Sequence, residues 1–304
     1  MAIATPVGDK RKSRTTSTSK NTGTSNNTGT SNNTASSTVL RPRKIARRRL
    51  GPGKAIPYGL AIGPLILVVA WIASSAAGIL DPQTLPAPLT IVEAARDLID
   101  DGRLQSNLIT SLQRAVISLV LGVAIGVVLA LVSGLSRLGE SIIDGPVQIK
   151  RAIPTLALIP LFIVWFGIGE SMKIIVITTS VLIPVYINTH AQLRSVDNRY
   201  VELAETVGLS RWQFVRRIAL PGALPGFFTG LRMAVTISWL ALVVVEQVNA
   251  TSGIGYLMTQ ARTYGQIDII VVGLVVYAIF GLVGDFLVRR VERRALSWRQ
   301  TLGG

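Results

Sequence analysis

Residues 59–80 are 22 amino acids without one charged side chain. As a helix rising 1.5 Å per residue, such a stretch crosses a hydrocarbon core of about 30 Å. Five further apolar runs follow, at 108–135, 153–167, 174–187, 224–245 and 267–288. A lone segment in lipid satisfies its backbone only by coiling into a helix, so the pattern predicts an all-α membrane protein with six transmembrane helices. The composition, 49% hydrophobic with a mean hydropathy of +0.48, lies above that of soluble domains. An even span count returns both termini to one side. Basic residues at 41–54, Arg137, Lys150, Arg151 and 289–294 place that side in the cytoplasm, whereas 81–102 holds five acids against one arginine, as suits an outer loop. The expected setting is a membrane crossed several times, with both ends cytoplasmic.

The net charge of +15 would read as a nucleic-acid signal if it were spread evenly, but residues 1–55 hold twelve of the 31 Lys/Arg and one acid. That segment is rich in Ser, Thr, Asn and Gly and repeats NTGTSN twice over 21–32. It reads as a disordered basic cytoplasmic tail without a secretory apolar core, whose charge touches membrane lipid rather than a specific nucleic acid. Residues 56–299 form the transmembrane domain.

Within that domain Thr90 and Glu93 are spaced as a capping box for a surface helix that buries Ile91, Ala94, Ala95 and Leu98 and stops at Gly102. Gly122 and Gly126 make a small-residue face for close helix approach, against this chain or a second copy. Pro154 and Pro160 bend the third span, which makes Pro160 a candidate pathway residue. His190 faces a polar span end. Arg114 and Glu246 fall near the outer ends of their spans, where pairing as a gate competes with separate snorkelling; partial rescue by exchanging the two charges is the expected signature of a pair. Arg232 and Asp285 read as snorkelling residues.

The polar block at 198–221 interrupts the apolar runs. Val201, Ala204 and Val207, with Leu203 beside them, lie on one side of a short helix, leaving Glu202 and Glu205 wet. Gly208 stops that helix, Ser210 and Gln213 cap a second, and Pro221 turns the chain into the next span. Glu202-Leu203-Ala204, three residues, Gly208, nine residues, then Ile218-Ala219-Leu220-Pro221 resembles the EAA loop of ABC importer permeases. Leu203 stands where that pattern has alanine, and a larger apolar side chain still fills a docking pocket.

The chain has no GxxxxGK[ST] phosphate loop, no cysteine and one histidine, so its residues offer no site for ATP hydrolysis, thiol chemistry or a histidine metal cluster. It reads as no enzyme and as binding no cofactor itself. Residues 156–174, 184–190, 220–232 and 252–257 are similar to the permease branch that carries aliphatic sulfonate, taurine, nitrate and bicarbonate. The resemblance covers roughly 85–299. It implies a type I ABC importer permease architecture, a docking role for Glu202, Leu203, Ala204, Gly208, Ile218 and Pro221, an ATP-binding subunit carrying ATP and Mg, an external solute-binding protein, a second permease chain, and a small anionic solute such as an aliphatic sulfonate. Two other classes compete. An ion-coupled secondary transporter calls for midplane ionisable residues and an inverted repeat, and a membrane anchor with a nucleic-acid-binding tail would leave the 198–221 block idle.

Overall fold

The computed structural model describes residues 59–81 and 83–298. The chain divides into Met1–Ala55 and Ile56–Gly304, and the tail expected at 1–55 lies outside the described residues. Among the described residues every regular element is helical. Four helices are long and apolar enough to span a membrane, a bent pair makes a fifth, and a shorter apolar helix precedes them. Of the six expected spans the described residues show four as unbroken helices and a fifth where the bent pair counts as one; the run at 59–80 forms α1 (Gly59–Ala76), 18 residues long, which stops four residues before the end of its apolar run.

Helix α2 (Pro88–Asp100) begins two residues before Thr90, because Pro88 has its φ preset for a first turn. The expected Thr90–Glu93 box is therefore not formed: the N-cap is Ala87, with no side-chain cap. Its apolar face holds as read, with Ile91, Ala94 and Leu98 buried in the main core.

The bundle is organised around α6 (Glu170–Arg194), which lies between α3 (Arg103–Leu135) and α9 (Leu220–Asn249). Small residues allow the approach. A Cβ on Gly122 would stand 2.6 Å from Val181 Cγ1 and 2.8 Å from the Thr178 carbonyl oxygen, so the glycine pair of α3 serves packing within this chain. On the other side Gly230 of α9 lies against the Pro184 carbonyl oxygen, where a Cβ would be 2.7 Å away.

The third span departs most from expectation. Residues 137–152 form α4, which runs antiparallel to α6: Glu140 pairs with Arg194 at 2.8 Å near one end, and Lys150 donates to the Thr179 carbonyl at 3.2 Å near the other. The chain then breaks at Ile153-Pro154, makes a 3-10 turn over Thr155–Leu158 and continues as α5 (Ile159–Phe166), bent 90° from α4. The break falls at Pro154 alone. Pro160 sits in the first turn of α5, where its missing N–H removes no bond, so it does not bend the helix. Lys150 and Arg151 are correspondingly not in an inner loop; they end α4 partway along α6. The last helices are α10 (Ile254–Thr263) and α11 (Ile267–Ala295), which packs on α2, α9 and α10.

Candidate functional site

At one end of the bundle, α7 (Asn198–Thr206) follows α6 and is capped by Asp197, whose carboxylate accepts from the Arg199 amide at 3.0 Å. Its C-terminus is a Schellman motif. The Leu209 amide donates to the Ala204 carbonyl at 2.9 Å and the Gly208 amide to the Glu205 carbonyl at 3.0 Å, with Gly208 at φ 74°. Ser210 and Gln213 then form a full capping box on α8 (Arg211–Phe214). The two helices do not end at Pro221, as the sequence implied. A π turn over Val215–Ala219 joins α8 to α9, so 211–248 is one continuous helix. The wide turn lets Leu220 donate to Val215 and accommodates Pro221, which has no N–H to give.

The apolar residues of α7 are divided between two faces. Ala204 is buried beside a cavity of about 740 Å³ lined by the ends of α3 and α6, whereas Leu203 is 58% and Trp212 68% exposed. Tyr200, Leu203 and Val207, at i, i+3 and i+7, make an exposed apolar stripe flanked by exposed Glu202. Arg211 ties the loop to the bundle by donating to the Leu135 carbonyl at 3.3 Å, at the end of α3. Ile218 and Pro221 are half-buried within the continuous helix.

At the opposite end a buried polar network crosses five elements. Asn107, Ser111 and Arg114 share one face of α3 at i, i+4 and i+7. All five N–H donors of Arg114 are used: Nε and Nη2 hold Glu170 at 2.6 and 2.7 Å, Nη1 holds Glu246 at 2.8 Å and the Ser252 carbonyl at 2.6 Å, and Nη2 also reaches Ser252 Oγ at 3.1 Å. Glu246, 1% exposed, accepts in addition from Ser111 Oγ at 2.8 Å, the Gly255 amide at 2.9 Å and Tyr277 Oη at 3.1 Å. Lys173 completes the set at 2.7 Å from Glu170, giving two cations and two carboxylates. The segment before α10 is held too, since the Gly253 amide donates to Asn107 Oδ1 and the Ile254 amide to Ser111 Oγ, each at 2.8 Å. A Cβ on Gly253 would stand 2.5 Å from the Glu246 carboxyl carbon, so glycine is required there.

Arg114 and Glu246 therefore meet, but as two members of a larger cluster, and Pro160 does not join them. Sequence reading missed Ser111, Glu170, Lys173, Ser252 and Tyr277. Ser111 carried a usable signal, three residues before Arg114 on the same helix face; the others come from distant elements. Arg232 and Asp285 are likewise not separate snorkelling residues. They face each other at 3.8 Å between α9 and α11, and Arg232 also bonds Glu292.

Residues 122–297, more than half the chain, match the model of the binding-protein-dependent transport system inner membrane component family. The chain belongs to that family. This permease is 41% identical over 245 residues to the putative aliphatic sulfonates transport permease protein SsuC of Escherichia coli strain K12, covering 81% of this chain and 92% of that one. It is 35% identical to the protein of the same description in Bacillus subtilis strain 168, covering 86% and 93%. To the taurine transport system permease protein of Escherichia coli K12 it is 32% identical, covering 79% and 89%. A chain in the crystal structure of an amino acid ABC transporter with histidines shares the fold at a TM-score of 0.55 and 18% identity, covering 68% of the permease and 97% of that chain. Membership makes the chain a membrane-embedded transport permease of an ABC importer, a class that works with an ATP-binding subunit and a solute-binding protein. It sets aside the secondary transporter and the nucleic-acid anchor.

Proposed function

We propose that this permease forms the membrane pathway for an aliphatic sulfonate, as one of two identical chains in a bacterial plasma membrane with both termini cytoplasmic. The observation that carries the substrate is the 41% identity sustained over 92% of a sulfonate permease. The taurine relative shares the sulfonate group with that solute class, and nitrate and bicarbonate are the competing small anions. ATP and Mg belong to separate subunits, which press on the 198–221 block from the cytoplasm. In proteoliposomes with ATPase subunits and binding protein, labelled alkanesulfonate should accumulate on addition of ATP and be displaced by excess unlabelled sulfonate. Displacement of nitrate or bicarbonate uptake by its own unlabelled anion, with no alkanesulfonate uptake, would overturn the substrate.

In this reading the stripe of Tyr200, Leu203 and Val207 enters a groove of the ATPase subunit while Glu202 bonds a polar group at its rim. A charge-assisted hydrogen bond of that kind is worth about 1.5–3 kcal/mol. Glu202→Ala should weaken ATPase-subunit binding roughly tenfold or more. An affinity equal to wild type, measured by titrating the ATPase subunit onto the reconstituted permease, would reduce Glu202 to a solvated side chain.

The opposite end acts as an outer latch. Arg114 has no spare donor, so an arriving anion must displace one of its acceptors. The exchangeable one is Glu170, whose side chain is 55% exposed, rather than the fully buried Glu246. Glu246 anchors α3, α9, α10 and α11 while Glu170 is the partner that leaves.

A further inference from the structure

We propose that Lys150 and Arg151 form an anion subsite midway through the membrane, at the break between α4 and α5. This inference rests on the anionic-solute reading above.

Depth is the first observation. Lys150 donates to the carbonyl of Thr179 and to the Thr155 hydroxyl. Thr179 lies nine residues from one end of α6 and fifteen from the other, or about 14 and 22 Å along the helix axis. The ammonium is therefore near the middle of a spanning helix, where ionisable groups are costly and mark solute pathways.

Charge balance is the second. The four charges of the Arg114 cluster cancel, and Arg232 has Asp285 and Glu292. Among the described residues no carboxylate lies within ion-pair distance of Lys150 or Arg151. Lys150 is half-buried against two neutral oxygens, which position the ammonium without neutralising it.

Space is the third. The break opens a cavity of about 330 Å³, lined by Lys150, Arg151, Thr155, Ser180, Pro184 and Ala241. Ser180, Ile183 and Pro184 of α6 and Ile237, Leu240 and Ala241 of α9 form its floor, and the 90° bend at Ile153-Pro154 turns α5 away from α4. A sulfonate head presents three acceptor oxygens to the one Lys150 donor not held by Thr155 and Thr179 and to a guanidinium fork. Its short alkyl chain meets Pro184 and Ala241. Here the solute replaces the counter-ion that the fold omits.

The test uses the permease–ATPase complex in nanodiscs without binding protein, titrated with isotope-labelled ethanesulfonate, alongside uptake by the complete system in proteoliposomes. Wild type should bind saturably. Lys150→Gln and Arg151→Gln should each weaken binding at least tenfold, with the double variant at background and Lys150→Arg near wild type. Arg151 is exposed, so its variant reports on binding even where Lys150→Gln fails to assemble. Equal binding by wild type and Lys150→Gln/Arg151→Gln overturns the subsite and leaves the sulfonate reading standing. Sulfonate uptake by wild type without saturable binding to the complex also overturns the subsite alone. Neither binding nor uptake of sulfonate by wild type removes both.

Discussion

Arg114→Ala is expected to abolish ATP-driven uptake and to lower the stability of the bundle by about 3–5 kcal/mol, the usual consequence of leaving one member of a buried ion pair unmatched. Glu246 would then sit in a dry interior facing only Ser111, Gly255 and Tyr277, and Glu170 would keep Lys173 alone. Thermal unfolding in detergent and uptake in proteoliposomes should fall together. Glu170→Gln should also lower stability, because the buried Lys173 loses its carboxylate while Arg114 keeps Glu246, and the latch loosens. The network also alters the outcome of exchanging the two charges. The sequence alone predicts partial rescue by Arg114→Glu with Glu246→Arg, yet in the structure the new glutamate would face Glu170 and the new arginine would point donors at the Gly255 amide. The double exchange should therefore be as inactive as either single change. Recovered uptake in the double variant would contradict this assignment of partners.

What the sequence made legible is what one segment decides by itself. The capping box at Ser210 and Gln213, the stop at Gly208 and the buried face of Ile91, Ala94 and Leu98 each depend on residues within a few positions of one another. The apolar runs likewise marked the bundle, because lipid leaves a chain segment one way to satisfy its backbone. Features built between segments were not legible. Lys150 and Arg151 looked like a cytoplasmic anchor because positive charge after an inward span ordinarily lies at the surface. Helix α4 starts with a polar turn and then climbs beside α6, carrying those charges into the bundle, and no local pattern announces that. Pro221 misled for a related reason: its turn-forming tendency was overruled by a π turn that absorbs the missing donor. The partners Glu170 and Tyr277 lie 56 residues from Arg114 and 31 from Glu246, separations across which spacing carries no information. Even the EAA-like resemblance told which residues face a docking partner only coarsely. It gave Leu203 and Ala204 one role, and the helix turns one outward and the other into the bundle.

Gly208→Val should uncouple the transporter: the complex assembles in the membrane, and ATP-driven uptake falls tenfold or more. The cause lies in the backbone. Gly208 has φ 74°, in the left-handed region that a β-branched residue resists at a cost of about 1–3 kcal/mol. A Cβ placed there meets nothing within 4 Å, so crowding cannot account for any loss. Two bonds depend on that dihedral, Leu209 to Ala204 and Gly208 to Glu205, and together they set the direction in which α8 leaves α7. If valine drives the residue out of the left-handed region, the stripe of Tyr200, Leu203 and Val207 no longer stands at a fixed angle to Trp212, and a groove shaped for both helices receives one. Stability of the span should hardly change, because α8 is continuous with α9 and Arg211 still reaches Leu135. Gly208→Asn separates this cause from any other. Asparagine tolerates the left-handed conformation while adding a Cβ and a polar group, so it should retain most of the uptake that valine loses. Equal loss in both variants would show that the side chain itself disturbs docking, and normal uptake in Gly208→Val would show that the angle between α7 and α8 carries no coupling.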